Sequence, residues 1–137
     1  MSDTPAKMSR PRPLSPHLQI YRLPLAAITS ITHRATGVAL SVGAVVLVAW
    51  LYAAANSAEC FAQFQSILVS PLGLFCMAGW SLALFYHLCA GVRHLVWDAG
   101  VGYKKETTNT TNILVIISAL ILTGAAWACA LPKLPML

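Results

Sequence analysis

A histidine inside a long uncharged stretch is the residue of this chain with the clearest chemical potential. His87 lies in the run 67–92, which contains no Asp, Glu, Lys or Arg. A helix that crosses a bilayer needs about 20 apolar residues, so this run places His87 at membrane depth. An ionisable side chain is costly there and faces the interior of the bundle. Imidazole is a common axial ligand of haem iron, so His87 is a candidate ligand for a redox cofactor.

Three further residues share the helical face of His87. Gly91, His94 and Asp98 follow it at i+4, i+7 and i+11, a spacing that forms one stripe. Gly91 removes a side chain from that face and leaves room for the edge of a flat macrocycle. His94 and Asp98 could form a proton path to a nearby quinone, or they could be a simple charge cluster with Arg93 at the helix end. His87 could equally be a histidine that hydrogen-bonds between helices, and the spacing alone does not decide.

A second polar group precedes the first apolar run. Ser30, His33, Arg34 and Gly37 are spaced i, i+3, i+4 and i+7, again on one helical face. They offer a hydroxyl, a titratable donor and a cation at one membrane boundary. Such a set suits an acidic or carbonyl-bearing lipid-soluble ligand, such as haem propionates or a quinone. The plainer interpretation is that Arg34 is an interfacial arginine that sets topology.

The composition indicates which elements position these residues. Of 137 residues, 58% are hydrophobic and 9% are charged, whereas about a quarter of a soluble domain is charged. We therefore predict an all-α membrane protein with three transmembrane helices, at about 28–55, 67–97 and 112–131, within one domain, 25–137. The segment 56–66 is expected to be a loop. The Asn/Thr cluster 109–112 is expected to end the second loop and cap the third helix.

The distribution of Lys and Arg predicts the orientation. Eight of the nine basic residues fall in the N-terminal segment or between the second and third spans, and one follows the third span. The positive-inside rule then places the N-terminus in the cytoplasm and the C-terminus outside. The segment 1–24 is rich in proline and lacks the apolar core of a secretory signal. We interpret it as a cytoplasmic or interfacial segment. The basic residues are, in order, Lys7, Arg10, Arg12, Arg22, Arg34, Arg93, Lys104, Lys105 and Lys133.

Several classes of function are disfavoured. The four cysteines are widely spaced and form no CxxC pair, so they are interpreted as small apolar residues rather than ligands of a cluster. There is no glycine-rich dinucleotide fingerprint. The basic residues flank apolar spans, which argues against nucleic acid as a partner. A transporter is disfavoured because there is no inverted repeat.

Two motifs carry a resemblance to a known family. One runs from Arg12-Pro13-Leu14 to Ser30-Ile31-Thr32-His33-Arg34-Ala35-Thr36-Gly37, and the other from His87-Leu88-Cys89-Ala90-Gly91 to Trp97-Asp98-Ala99-Gly100. Together with the three-span layout, they resemble the cytochrome b556 membrane-anchor subunits of succinate dehydrogenase, respiratory complex II. The resemblance covers nearly the whole chain.

That resemblance implies one subunit of a four-subunit enzyme. A flavoprotein subunit oxidises succinate, an iron–sulfur subunit passes the electrons on, and two membrane anchors bind one haem b and ubiquinone. It implies that His87 is the axial ligand of the haem iron. His33 and Arg34 approach the haem propionates, and Ser30 and Arg34 line the quinone pocket. His94 and Asp98 lie within the second motif, where they would support the residues that contact the cofactors or form a proton path.

The resemblance also implies what this subunit lacks and where it lies. It would be a subunit without the catalytic succinate site, while a second membrane anchor supplies the other haem ligand. The form of the first motif looks most like the alphaproteobacterial and mitochondrial branch, and because no presequence is recognised we expect a bacterial inner membrane rather than the mitochondrial inner membrane. Two alternatives stay open: an anchor of a quinol:fumarate reductase, and a structural anchor without haem.

Overall fold

The computed structural model describes residues 21–133, and all regular structure in that range is helical. Three of the helices are long and apolar enough to cross a membrane, which confirms the expected fold class. The segment interpreted as interfacial, 1–24, lies outside the described residues except for 21–24, which have no regular structure. The elements are α1 (Leu25–Asn56), α2 (Ala58–Leu68), α3 (Pro71–Asp98), α4 (Lys105–Ala130) and a 3₁₀ turn (Leu131–Lys133).

The segment 56–66, expected to be a loop, is mostly helical, so that expectation was wrong. Ser57 is the N-cap of α2, and its hydroxyl accepts a hydrogen bond from the backbone N–H of Cys60 at 3.2 Å. The indole of Trp50 in α1 packs on Phe61 and donates to Gln65 at 3.1 Å. The physical reason is a short amphipathic pattern behind a good cap, which a search for apolar runs overlooks.

The second membrane helix begins at Pro71 rather than near residue 67. The helical backbone is interrupted at Val69 and Ser70. The Ser70 hydroxyl accepts a hydrogen bond from the N–H of Gly73 at 3.1 Å. Proline at the first helical position is favoured because it has no N–H to satisfy. A Cβ atom at Gly73 would overlap the carbonyl of Leu68, so the tight turn between α2 and α3 requires glycine.

The third membrane helix begins about two turns earlier than expected. It starts at Lys105, and the cluster 109–112 lies inside it rather than capping it. The reason is tertiary packing: Asn112 is fully buried, and its Oδ1 accepts a hydrogen bond from the Thr29 hydroxyl at 2.8 Å. A polar residue that is satisfied by a neighbouring helix no longer favours a helix end.

The three long helices make contact through small residues and a narrow core. Ala90 of α3 and Ala119 of α4 belong to the buried cluster between those helices. Between α1 and α3, Gly43 faces Trp80 so closely that any Cβ atom would overlap the indole. Small residues allow this close approach in membrane helices. Most large apolar side chains of the described residues point outward, as lipid-facing residues do.

Candidate functional site

The ring of His87 is held by α1 through one of its two nitrogen atoms. Nδ1 lies 3.1 Å from the backbone carbonyl oxygen of His33 and 3.2 Å from the hydroxyl of Thr36. Both hydrogen bonds that the ring makes within residues 21–133 involve Nδ1, so Nε2 takes no part in holding it.

The hydrogen-bonding pattern determines which nitrogen of His87 carries the proton. The Thr36 hydroxyl donates its single hydrogen to the His33 carbonyl at 2.8 Å, so toward His87 it offers a lone pair. The His33 carbonyl is also an acceptor. Nδ1 therefore faces two acceptors and must be the N–H donor. Nε2 is left with a lone pair in the neutral ring, which is the form that binds a metal.

Two glycines shape the space around this ring. A Cβ atom on Gly37 would lie 3.1 Å from Cε1 of His87, so the absence of a side chain there lets the ring settle on α1. A Cβ atom on Gly91 would meet no atom within 4 Å in the described chain. One turn along α3 from His87 there is consequently open space, where the sequence pattern suggested room for a macrocycle edge.

Three imidazole rings form a row between α1 and α3. The His33 ring stacks on His87 with a centroid distance of 4.1 Å and on His94 with 5.0 Å. His94 also makes an edge contact with Trp97 at 5.2 Å. Within residues 21–133, the buried Nε2 atom of His33 has no hydrogen-bond partner. A buried polar atom without a partner indicates a ligand or water that completes it.

The other predicted site residues lie at the margin of this row. Ser30 is half-buried and Arg34 is exposed, and they are one turn apart on α1. Asp98 is exposed at the last position of α3. The structure therefore brings His87, His33 and His94 together, while Ser30, Arg34 and Asp98 make no side-chain hydrogen bond to these three rings within residues 21–133.

Sequence reasoning missed two contributors to this region. Thr36 was quoted only as part of a motif, although it lies three residues after His33 and therefore on a neighbouring position of the same face. Tyr86 was not considered, yet its hydroxyl donates to the carbonyl of Thr29 at 2.9 Å and links α3 to α1. The available signal was the same for both: a hydrogen-bonding side chain within an apolar span, next to a residue already singled out.

The arrangement suits the binding of a metal-centred ring rather than of a bare metal ion. No group of three or more His, Cys, Asp or Glu side chains that could hold a metal ion occurs within residues 21–133. The free Nε2 atom of His87, the open space beside it at Gly91, and the unpartnered Nε2 atom of His33 nearby fit a cofactor that brings its own ligands and carries acidic groups.

Comparisons with known proteins identify the family of this chain. The family model of the succinate dehydrogenase/fumarate reductase transmembrane subunit matches residues 8–126. The succinate dehydrogenase cytochrome b556 subunit of Paracoccus denitrificans is 49% identical over 111 residues, covering 81% of this chain and 85% of that protein. The protein of the same name from Rickettsia felis is 38% identical over 127 residues, covering 93% and 99%. The cytochrome b560 subunit of Reclinomonas americana is 36% identical over 125 residues, covering 85% and 84%. The chain therefore belongs to the family of succinate dehydrogenase/fumarate reductase transmembrane subunits.

Proposed function

We propose that this chain is the cytochrome b membrane anchor of a succinate:quinone oxidoreductase, and that it supplies one axial ligand of a haem b. The observation that carries the proposal is the state of His87. Its Nδ1–H is used by α1, its Nε2 is free, and open space lies beside it at Gly91. The printed names of the relatives, cytochrome b556 and b560 subunits, support the choice of haem.

Each residue of the site has a separate task toward the haem. His87 donates its Nε2 lone pair to the iron, and the carbonyl of His33 holds the ring in the correct tautomer. The unpartnered Nε2 of His33 and the guanidinium of Arg34 bind the propionates. When bound, the haem supplies a one-electron carrier within the membrane. Apolar side chains of α1 and α3 keep water away from it.

The second axial ligand comes from another subunit. A bond to a metal lies in the plane of the imidazole ring, pointing outward from Nε2. The His33 ring lies over the face of His87, 4.1 Å away between centroids, so it is not placed beyond Nε2. His94 is seven residues further along the same helix, about 10 Å at helical rise, and cannot lie opposite His87. The second membrane anchor of the complex therefore provides the other imidazole.

Ser30 and Arg34 contribute the quinone site from this chain. The hydroxyl and the guanidinium lie one turn apart on α1 and can both donate hydrogen bonds to quinone carbonyl oxygens. His94 and Asp98 lie one turn apart at the end of α3, and Asp98 is exposed. They provide a route for protons from the aqueous phase toward the quinone, with His33 next in the row.

The remaining functions belong to the partner subunits. A flavoprotein subunit oxidises succinate, and an iron–sulfur subunit carries electrons to the membrane. This chain anchors them and has no catalytic succinate site. The relatives from Paracoccus denitrificans and Rickettsia felis favour a bacterial inner membrane as the location. The same site also serves the reverse reaction, from quinol to fumarate, because direction depends on the potentials of the quinone and of the haem.

The experiment that tests this function separates two electron acceptors. A complex purified through a tag on this chain should contain flavin and iron–sulfur clusters, and should reduce both ubiquinone and a water-soluble dye with succinate. Ser30→Ala and Arg34→Gln should impair the reduction of ubiquinone and spare that of the dye. Loss of one hydrogen bond to a buried carbonyl costs about 1–3 kcal/mol, which is about 5- to 150-fold.

Ser41→Ala is the matched control for these variants. Ser41 lies on α1 and is exposed, and its hydroxyl donates a hydrogen bond to the carbonyl of Gly37. It should leave both activities unchanged. Normal quinone kinetics in both Ser30→Ala and Arg34→Gln would remove these residues from the quinone site. Failure of the tagged chain to bring down flavin would contradict its role as the anchor.

A further inference from the structure

Three polar residues are buried in the part of the chain that the structure describes, and two of them bond to each other. They are Thr29, Arg93 and Asn112, which are 2%, 5% and 0% exposed. Arg93 lies over the ring of Trp97, with Cζ 4.6 Å from the ring centroid. The hydroxyl of Thr29 in α1 donates a hydrogen bond of 2.8 Å to Oδ1 of Asn112 in α4. Neither Thr29 nor Asn112 has a task in the haem and quinone sites described above.

Thr29 is bonded from α3 as well as from α4. The hydroxyl of Tyr86 in α3 donates to the backbone carbonyl of Thr29 at 2.9 Å. One residue of α1 therefore connects all three membrane helices, through its side chain on one side and its backbone on the other. We call Asn112, Thr29 and Tyr86 the Thr29 junction.

The junction lies near a helix end that has no side-chain cap. α1 begins at Leu25 behind Pro24, and Pro24 makes no side-chain hydrogen bond to the first turn. Thr29 lies in the second turn of the same helix. Helix ends fray when their free backbone groups are not held. The bonds from α3 and α4 to Thr29 therefore hold the start of α1 in place.

The residues proposed to bind the quinone follow the junction directly. Ser30 is the next residue after Thr29, and Arg34 lies one turn beyond Ser30. A serine hydroxyl is one torsion away from the backbone, so its position follows that of the backbone. Groups that bind a ligand must be held to within about 0.5 Å of the productive geometry. A small shift of the start of α1 would therefore displace the Ser30 hydroxyl from the quinone.

The chemistry of Asn112 indicates a role in position rather than in stability. Its Nδ2 atom is buried and has no hydrogen-bond partner within residues 21–133, which costs free energy that a leucine of similar size would avoid. Without Asn112, the Thr29 hydroxyl can still donate to the carbonyls of Leu25 or Ala26, each 3.1 Å away. A single buried asparagine fixes the register of helices in coiled coils at a similar cost in stability.

We propose that Asn112 is a positioning residue of the quinone site and that it acts through Thr29. This inference rests on the quinone site proposed above. Asn112 fixes the side chain of Thr29 and Tyr86 fixes its backbone, and together they hold the start of α1 so that the Ser30 hydroxyl meets the quinone. α4, to which we assign no cofactor ligand, thereby takes part in the site through one hydrogen bond.

The test measures ubiquinone kinetics and thermal stability of the purified complex. Asn112→Leu should raise the KM for ubiquinone about 3- to 10-fold, the value of one hydrogen bond, while kcat changes less than about twofold. The melting temperature should equal or exceed that of the wild type, because a buried donor without a partner is removed. Haem content and dye reduction should be normal, because His87 is held by His33 and Thr36 further along α1.

Variants of Thr29 and a control on α4 show whether Asn112 acts through Thr29. Thr29→Val should raise the KM to the same extent as Asn112→Leu, and Thr29→Ser, which keeps the hydroxyl, should keep the KM of the wild type. The double variant Thr29→Val/Asn112→Leu should match the single variants rather than multiply their effects. Thr110→Val is the matched control and should leave the KM unchanged, because the exposed Thr110 hydroxyl donates within α4 to the carbonyl of Glu106 at 3.0 Å.

Ser30→Ala, measured in the same series, separates the junction from the quinone site itself. A raised KM in Ser30→Ala with an unchanged KM in Asn112→Leu would overturn the role of Asn112 and leave the quinone site intact. An unchanged KM in both variants would contradict the quinone site, and the junction with it. A lower melting temperature of Asn112→Leu with a normal KM would overturn the proposal, because Asn112 would then only stabilise the bundle. Multiplied effects in the double variant would overturn it as well, because Asn112 would then act independently of Thr29.

Discussion

The hydroxyl of Thr36 provides a sensitive test of how this chain tunes the haem. Thr36→Val removes one of the two acceptors that face Nδ1–H of His87, 3.2 Å away, and keeps the branched shape of the side chain. A hydrogen bond from Nδ1–H makes the imidazole a stronger donor to the metal. A stronger donor stabilises ferric over ferrous haem, so removing the acceptor should raise the midpoint potential.

The size of this shift follows from the two hydrogen bonds. A neutral hydrogen bond contributes roughly 0.5–1.5 kcal/mol net, which for one electron corresponds to roughly 20–60 mV. The shift should be smaller than that. The His33 carbonyl loses the hydrogen bond from Thr36 at 2.8 Å and becomes a better acceptor for His87. We therefore expect an increase of about 10–40 mV, a fraction of the value of a single hydrogen bond.

The assay is a potentiometric titration of the haem absorbance in the purified complex. Thr36→Ser keeps a hydroxyl, so the midpoint potential of its haem should be close to that of the wild type. Thr32→Val is the matched control, because the Thr32 hydroxyl is exposed and donates to the carbonyl of Ile28 one turn earlier, not to the His33 carbonyl. A potential for Thr36→Val that is unchanged, or lower than wild type, would refute the hydrogen-bond arrangement derived for His87.

Two other predictions concern packing and topology. Gly43→Ala should destabilise the complex by about 1–3 kcal/mol through overpacking, because the added methyl group overlaps Trp80. Gly79→Ala should leave the stability unchanged, because its methyl group meets no atom within 4 Å in the described chain. Equal melting temperatures for the two variants would contradict the close approach of α1 and α3. Reporter fusions at Cys60 and after Leu137 should both report an external location from the Lys/Arg distribution, and a cytoplasmic signal at either position would contradict the predicted orientation.

Much of the fold follows from sequence because lipid imposes a strong constraint. A span must satisfy its own backbone hydrogen bonds and present apolar side chains, so long uncharged runs predict membrane helices well. The same reasoning fails at their ends. Asn112 belongs to α4 because Thr29 satisfies it from another helix, and residues 67 and 68 belong to α2 because the chain turns before Pro71.

The candidate site was predictable in its residue types but not in its contacts. Position at membrane depth singled out His87, and helical spacing singled out His33. That the His33 backbone carbonyl, rather than its ring, holds His87 depends on the crossing of α1 and α3. The burial of Arg93 was hidden for a similar reason, since a charge near the end of a span ordinarily sets topology. Neither fact is encoded in local periodicity.

The most direct test of the central claim is the reduced-minus-oxidised spectrum of the purified complex with His87→Ala. We expect the low-spin, six-coordinate haem b signal to be lost or converted to a five-coordinate form. His94→Gln, on the same helix and without the hydrogen bonds of His87, should retain the low-spin signal. An unaltered low-spin spectrum in His87→Ala would contradict the assignment of His87 as the haem ligand. A wild-type complex that contained no haem would show that this anchor is purely structural.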